Sequence, residues 1–293
     1  MAYNASRGSE AMKKIIAFVV FLLILTGCSG NQKTMSPSAK TQRKLEINLT
    51  SKKTKVPTLF VHGYSGTKNS FGGMLKRFEK NGWGKKELIM TVTSIGSIST
   101  TGSLSGKEDN PMIQVIFQDN KNTEWSQTKW LYNCLAFLKK RGVEEVNLVG
   151  HSMGGVSGLR YLMSYPNDIS QPKVLKFAAI GAPFNDFLDT SSAQNIADLL
   201  KNGPSEVSSR YQDYENLAVN LAQDTKFLLL AGQLDKNTFN DEMVPTTSAL
   251  AVNSLLKQTN VVTTKIFYGP KAQHSQLHEN EAVDQEVANF LWP

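Results

Sequence analysis

Cysteine is nearly absent: Cys28 and Cys134 are the only two in 293 residues. A single pair allows no disulfide framework and no cysteine-ligated metal centre. H-E-x-x-H, C-x-x-C and Walker-type glycine loops are missing too, so a zinc protease, a structural zinc site and a nucleotide P-loop have no support. Ser51-Lys52-Lys53-Thr54 is not an S-x-x-K site, because Thr54 stands where that motif requires lysine. No metal and no cofactor are expected. Histidine is scarce, with four residues, His62, His151, His274 and His278, so any chemistry that needs an imidazole has few candidates. The apolar run Ile15–Leu25 falls short of the ~20 residues that span a bilayer.

What is present begins with a soluble composition, 40% apolar and 19% charged, enough for a substantial core. The length favours one large domain. The net charge is +7, and part of the excess is local. Lys33, Lys40, Arg43, Lys44, Lys52, Lys53 and Lys55 face the single acid Glu46 between Asn31 and Lys55. This stretch reads as a solvated linker, with attraction to an anionic surface as the other reading. The charge sits in no nucleic-acid motif, so nucleic acid is not an expected partner. The sequence does not define an oligomeric state.

At the N-terminus, Met12-Lys13-Lys14 followed by Ile15–Leu25 has the charge and length of a signal peptide. It ends in Leu25-Thr26-Gly27-Cys28, which resembles the lipobox of bacterial lipoproteins. That resemblance implies cleavage before Cys28 and diacylation of its thiol, which supplies the more than one chain that stable anchoring needs. The expected organisation is a signal peptide with an N-terminal extension over 1–27, an anchored linker over 28–55 and a domain over 56–293. The membrane is then a partner, at the outer face of the bacterial cytoplasmic membrane. Cys134, left without a partner, reads as a small core residue.

From Val56 onward, strand and helix patterns alternate. Apolar, β-prone runs occur at Thr58–His62, Leu88–Thr93, Ile113–Phe117, Val146–Val149, Val174–Ile180, Phe227–Ala231 and Val261–Phe267. Several are continuously apolar, as strands buried on both faces of a parallel sheet are. Helical patterns cover Asn122–Arg141, Met153–Ser164, Ser248–Thr259 and Asn280–Leu291. The class is therefore α/β, a mostly parallel central sheet flanked by helices. Ser94–Asn110 reads as a loop or hairpin excursion. The segment 184–223 holds two polar helical patterns broken at Gly203-Pro204, and reads as a small cap insertion or an extra helix pair.

Two motifs sit at strand ends. Val146–Val149 runs into Gly150-His151-Ser152-Met153-Gly154, a G-x-S-x-G followed by a helical pattern. A strand that turns sharply into a helix exposes a serine hydroxyl at the tip of the turn. Side chains at Gly150 and Gly154 would collide with the neighbouring strand and helix. The Met153 N–H, at the start of that helix, points where negative charge is favoured. His151 is adjacent to the serine, but neighbouring side chains diverge, so it is expected to pack against the flanking strands. The second motif is Leu59-Phe60-Val61-His62-Gly63-Tyr64-Ser65-Gly66, a strand running into H-G-x-x-G, with His62 expected to hold the loop.

These motifs, with Asn110-Pro111, Ala182-Pro183-Phe184-Asn185 and His274-Ser275-Gln276-Leu277-His278-Glu279-Asn280, resemble the uncharacterised cell-surface α/β-hydrolases of bacteria over about Pro57 to Pro293. The resemblance implies the α/β-hydrolase fold, and an oxyanion site built from the N–H groups of Tyr64 and Met153. It also implies the order serine, acid, histidine. Two histidines follow Ser152, both just after the last strand candidate, and His274 is preferred to His278 because it precedes the final helix. Two acids compete. Asp235 closely follows the strand Phe227–Ala231, whereas Asp241 stands in D-x-x-V-P, which resembles the acid loop of many lipases and esterases. Asp241 is preferred, although Glu242 occupies a position where glycine is expected. The expected activity is that of a serine hydrolase cleaving small-molecule or lipid carboxylic esters through an acyl-enzyme. The alternative is a catalytically silent surface lipoprotein that uses the fold for binding.

Overall fold

Alternate residues of each central strand enter two different hydrophobic clusters. Leu59 and Val61 join one, together with Leu148, Ala179 and Leu229. Phe60 joins the other with Val149, Ala178, Ile180, Leu228 and Leu230. A strand buried on both faces has no solvent side to be polar, which explains the continuous apolar runs. The computed structural model describes residues 52–235 and 237–293. The expected signal peptide 1–27, Cys28 and the expected linker as far as Ser51 lie outside the described residues.

In chain order the strands are β1 (Thr58–Val61), β2 (Lys85–Val92), β3 (Ile98–Gly102), β4 (Pro111–Phe117), β5 (Glu145–His151), β6 (Lys173–Ile180), β7 (Phe184–Phe187), β8 (Lys226–Gln233) and β9 (Val262–Tyr268). The helices are α1 (Lys68–Lys80), α2 (Glu124–Lys139), α3 (Met153–Ser164), α4 (Ile196–Asn202), α5 (Ser209–Ala218), α6 (Thr246–Leu250), α7 (Asn253–Leu256) and α8 (Glu281–Leu291). A 3₁₀ segment, His274–Glu279, precedes α8. Eight strands form one sheet in the order β3-β2-β4-β1-β5-β6-β8-β9. All neighbours are parallel except the hairpin pair β2 and β3. The two central strands are therefore β1 and β5, with Val61 opposite Gly150. This register brings the loops after both strands to one place.

The Ser94–Asn110 excursion is that hairpin, closed where the Thr93 N–H donates to the Ser97 carbonyl (2.9 Å) with Gly96 at φ +81°. Asn110 is buried at φ +53°. Its amide donates to the carbonyls of Lys52 and Trp83, and its Oδ1 accepts from the Thr54 N–H. The Asn110-Pro111 pair thus fastens the chain where it enters the domain, far from the site below.

Three elements depart from the sequence expectation. Helix α1 is absent from the periodic candidates because Gly72-Gly73 lies at its centre, where each glycine costs about 1 kcal/mol of helix propensity. A Thr67 capping box starts it, and a side chain at Gly73 would strike the Glu279 carboxylate. Tertiary packing overrides the local preference. The expected helix Ser248–Thr259 is broken into α6 and α7. Its run Ala249, Leu250, Ala251, Val252 is buried throughout, so no polar face keeps one straight helix at the surface. Phe184, which opens the segment read as a cap insertion or an extra helix pair, is fully buried in the main core with Leu199, Tyr211 and Tyr214 from the same segment.

Candidate active site

Ser152 joins β5 to α3 at φ +54°, ψ −127°, a conformation that is costly for any residue with a Cβ. The turn closes only because the residues two positions away on either side are glycines. A Cβ on Gly150 would lie 2.5 Å from the Gly154 carbonyl oxygen, and one on Gly154 would strike the carbonyl of Val61. The Ser152 N–H donates to the Ile180 carbonyl (2.9 Å), which ties the elbow to β6. Met153 opens α3, so its N–H has no acceptor within the helix.

The loop after β1 meets this elbow. A Cβ on Gly63 would lie 2.7 Å from the Ser152 Cβ and 3.2 Å from the Met153 nitrogen. Only glycine permits that approach. His62 holds the loop from both ring nitrogens. Nε2 accepts from the Phe117 N–H (3.0 Å), so the proton resides on Nδ1, which donates to the Gly63 carbonyl (2.8 Å). The Tyr64 side chain is 55% exposed at the rim.

His274 and Asp241 come together across 33 residues of chain. The His274 ring Nδ1 lies 2.8 Å from Asp241 Oδ2, with the two residues 4% and 1% exposed. The other carboxylate oxygen, Oδ1, accepts from the N–H groups of Met243 (3.0 Å) and Val244 (2.7 Å). An ionised carboxylate facing Nδ1 keeps the ring proton there and leaves Nε2 as the basic nitrogen. The pair lies over Gly181, where a Cβ would be 3.1 Å from Asp241 Oδ2 and 3.4 Å from His274 Nδ1. Gly181 follows β6 directly, next to the strand that carries Ser152.

Asp235 stands apart from this pair. Its Oδ1 accepts from the N–H groups of Asn237 (2.7 Å) and Thr238 (3.0 Å), and Oδ2 from the Thr238 hydroxyl (2.9 Å). These bonds hold its carboxyl below the usual carboxylate range, as a cap on a local turn. His278 faces Glu279 (3.2 Å) instead of Asp241. Glu242 takes φ +79°, the conformation for which glycine was expected there.

A family model described as an alpha/beta hydrolase of unknown function matches residues 46–293. The chain belongs to this family. Its fold is accordingly the α/β-hydrolase fold, and the protein is a hydrolase by family. A second model, the prokaryotic membrane lipoprotein lipid attachment site, matches residues 12–29, within which Cys28 falls. The protein is thus lipid-anchored and membrane-associated. No helix among the described residues is long and apolar enough to cross a membrane. A Listeria innocua gene product of known crystal structure is 29% identical, with a TM-score of 0.74 over 81% of this chain and 94% of that one. A Lactobacillus plantarum protein assigned as a cell surface hydrolase is 19% identical, with a TM-score of 0.64 over 80% and 89%; this second likeness shows the fold alone. No curated protein matches the chain.

In this α/β-hydrolase, sequence reasoning underrated one residue. His151 packs against more than strands: its Nε2 lies 3.0 Å from the His274 carbonyl oxygen. The only sequence signal was its place beside Ser152, which side-chain divergence argued against. Burial holds both His151 and His62 neutral, His151 well below the ordinary histidine value, where His274 and His278 push in the same direction. A depressed histidine costs nothing while the ring is neutral in both states. Below about pH 6.5 the unfolded chain takes up protons that the folded chain refuses, so stability falls with pH. The slope approaches about 1.4 kcal/mol per pH unit for each such ring. Urea unfolding at pH 7.5, 6.5 and 5.5 should fall by less than about 1 kcal/mol across the first interval and by about 1–3 kcal/mol across the second. A level second interval would contradict this reading.

Proposed function

We propose that the protein is a serine hydrolase of carboxylic esters, with Ser152 as nucleophile, His274 as general base and Asp241 as the acid that orients it. The observation that carries this reading is the buried His274–Asp241 contact (2.8 Å) over the strand end beside the strained Ser152 elbow. The serine hydroxyl attacks the acyl carbon while His274 Nε2 takes its proton. The tetrahedral oxyanion receives the N–H groups of Met153 and Tyr64, a pair of donors of which one alone is worth ~3 kcal/mol. His274 returns the proton to the leaving alcohol, and water releases the acyl group by the reverse sequence.

An acyl substrate is supported by the rim. Tyr64 and Met243 are 55 and 57% exposed, on loops that also carry the oxyanion donor and the acid, and Phe187, the last residue of β7, is 62% exposed. A hollow of about 680 Å³ lined in part by Gln194, Ile196, Phe239 and Thr247 adjoins the acid loop. A second hollow, of about 670 Å³, is lined by Pro57, Leu88, Phe137 and Val143 at the opposite, amino-terminal ends of the strands. It plays no part in this reading. We take the domain to be 56–293, with 184–223 as a fixed helix pair instead of a moving cap, since Phe184, Tyr211 and Tyr214 belong to the core. Lipidation at Cys28 holds the domain at the outer face of the cytoplasmic membrane.

The test is fluorophosphonate labelling of wild type and Ser152→Ala side by side, with a panel of p-nitrophenyl esters of graded chain length. Labelling and turnover are expected in wild type and lost in Ser152→Ala, roughly 10⁴-fold or more in kcat. An unlabelled, folded wild type would leave the silent surface lipoprotein as the better reading.

A further inference from the structure

Three hydrogen bonds fasten the segment that begins at His274. Two run to Asp241: the ring Nδ1 to Oδ2 and the backbone N–H to the Asp241 carbonyl (2.8 Å). The third is accepted by the His274 carbonyl from His151 Nε2 (3.0 Å). Of the three, this one runs to the strand that carries Ser152. His151 is the last residue of β5 and the serine's immediate neighbour. Its ring also packs against two others, 4.7 Å from the His274 centroid and 4.8 Å from that of His278. The far end of the same segment is clamped separately, where Arg77 donates to the His278 carbonyl (2.8 Å) and to Glu279 (2.7 Å).

We propose that His151 is a positioning residue: its Nε2–H, donated to the His274 carbonyl, sets the base at the distance from Ser152 that proton transfer requires. This inference rests on the Ser152–His274 reading above. The loop after β9 and the elbow after β5 belong to elements separated by β6 and β8 in the sheet. Without a direct tie, errors in the three strand spacings between β5 and β9 add up at the reacting atoms. A single bond from the residue beside the nucleophile to the backbone of the base removes that slack. The donor role requires a neutral ring with its proton on Nε2. Burial supplies the neutrality, since a charged imidazolium there would also lie against His274 and His278.

A misplacement of about 1 Å costs on the order of 10²-fold in rate without altering the contacts that bind substrate, so the effect belongs in kcat and not in KM. Two variants of the full-length lipoprotein in detergent separate donor from ring. His151→Phe keeps a ring against His274 and His278 and removes the donor. His151→Gln removes the ring and returns an N–H near the former Nε2. We measure kcat and KM for p-nitrophenyl butyrate, the fluorophosphonate labelling rate, and Tm. His151→Phe should lower kcat and the labelling rate by about 30- to 100-fold with KM nearly unchanged, and His151→Gln should recover both to within about fivefold of wild type.

A His151→Phe protein that melts like wild type and keeps its kcat overturns the proposal. So does an equal loss in both variants, which would assign the effect to ring packing. If His151→Phe fails to fold, His151→Gln decides alone: near-wild-type kcat supports the donor role and a large loss overturns it. Failure of the underlying reading looks different, because wild type itself would then escape labelling or Ser152→Ala would retain it.

Discussion

Asp241→Asn is expected to lower kcat about 10⁴-fold, while Asp235→Asn stays within about twofold of wild type. The asparagine keeps Oδ1, so the bonds from the Met243 and Val244 N–H groups survive and the acid loop remains folded. What changes is the atom facing His274. An amide nitrogen in place of Oδ2 donates instead of accepting, so the His274 Nδ1 must offer a lone pair. The ring proton moves to Nε2, the atom that has to receive the serine proton, and the base is held in the wrong tautomer. Asp235 is committed to Asn237 and Thr238, so its loss disturbs one exposed turn. Steady-state kcat on one short-chain ester, measured for wild type and both variants, decides. A tenfold or smaller loss in Asp241→Asn, or a comparable loss in Asp235→Asn, would refute the assignment of the acid.

The largest expected loss of stability lies away from the chemistry, at Glu124. This residue opens α2 and is 2% exposed. Its Oε1 accepts from Arg160 Nε (3.0 Å) and Nη2 (2.7 Å), and its Oε2 from Arg210 Nε (2.8 Å). Arg210 in turn donates to the Pro183 carbonyl (2.9 Å) and pairs with Asp186. One carboxylate therefore joins α2, α3, α5 and the turn after β6. Removing it leaves two guanidinium groups in a poorly hydrated site, so Glu124→Ala should cost about 3–5 kcal/mol. Urea unfolding measures this, and a loss below about 1 kcal/mol would show that water or other groups replace the carboxylate. The exposed pair Lys173–Asp224 serves as the control, with no change in the urea midpoint expected on breaking it. The same network bears on the 184–223 insertion, because α5 cannot lift without breaking the contact between Arg210 and Glu124.

Legibility in the sequence followed how local each cause is. The strands were readable because burial on both sheet faces leaves an unbroken apolar run, as in Phe227–Ala231 within β8 (Lys226–Gln233). The helix Met153–Ser164 was readable to the residue, since an elbow starts it abruptly. Helix α1 was not, because Gly73 at its centre is required by the Glu279 carboxylate that lies against it, a contact some 200 residues away. Glu242 raised doubt about the acid loop, and the chain adopts the glycine-like φ there regardless. A single left-handed residue costs about 1–2 kcal/mol, small enough for the surrounding bonds at Asp241 to outweigh.

Sequence alone determined the α/β class, the place of the strand-to-helix elbow at Ser152 and the leader with its lipobox cysteine, because each is written in adjacent residues. Only the tertiary structure decided that the His274 ring faces Asp241 and not Asp235, that Phe184 belongs to the core, and that His151 reaches the backbone of His274. Those contacts join loops after different strands. They depend on the lateral order β1-β5-β6-β8-β9, which no stretch of neighbouring residues encodes.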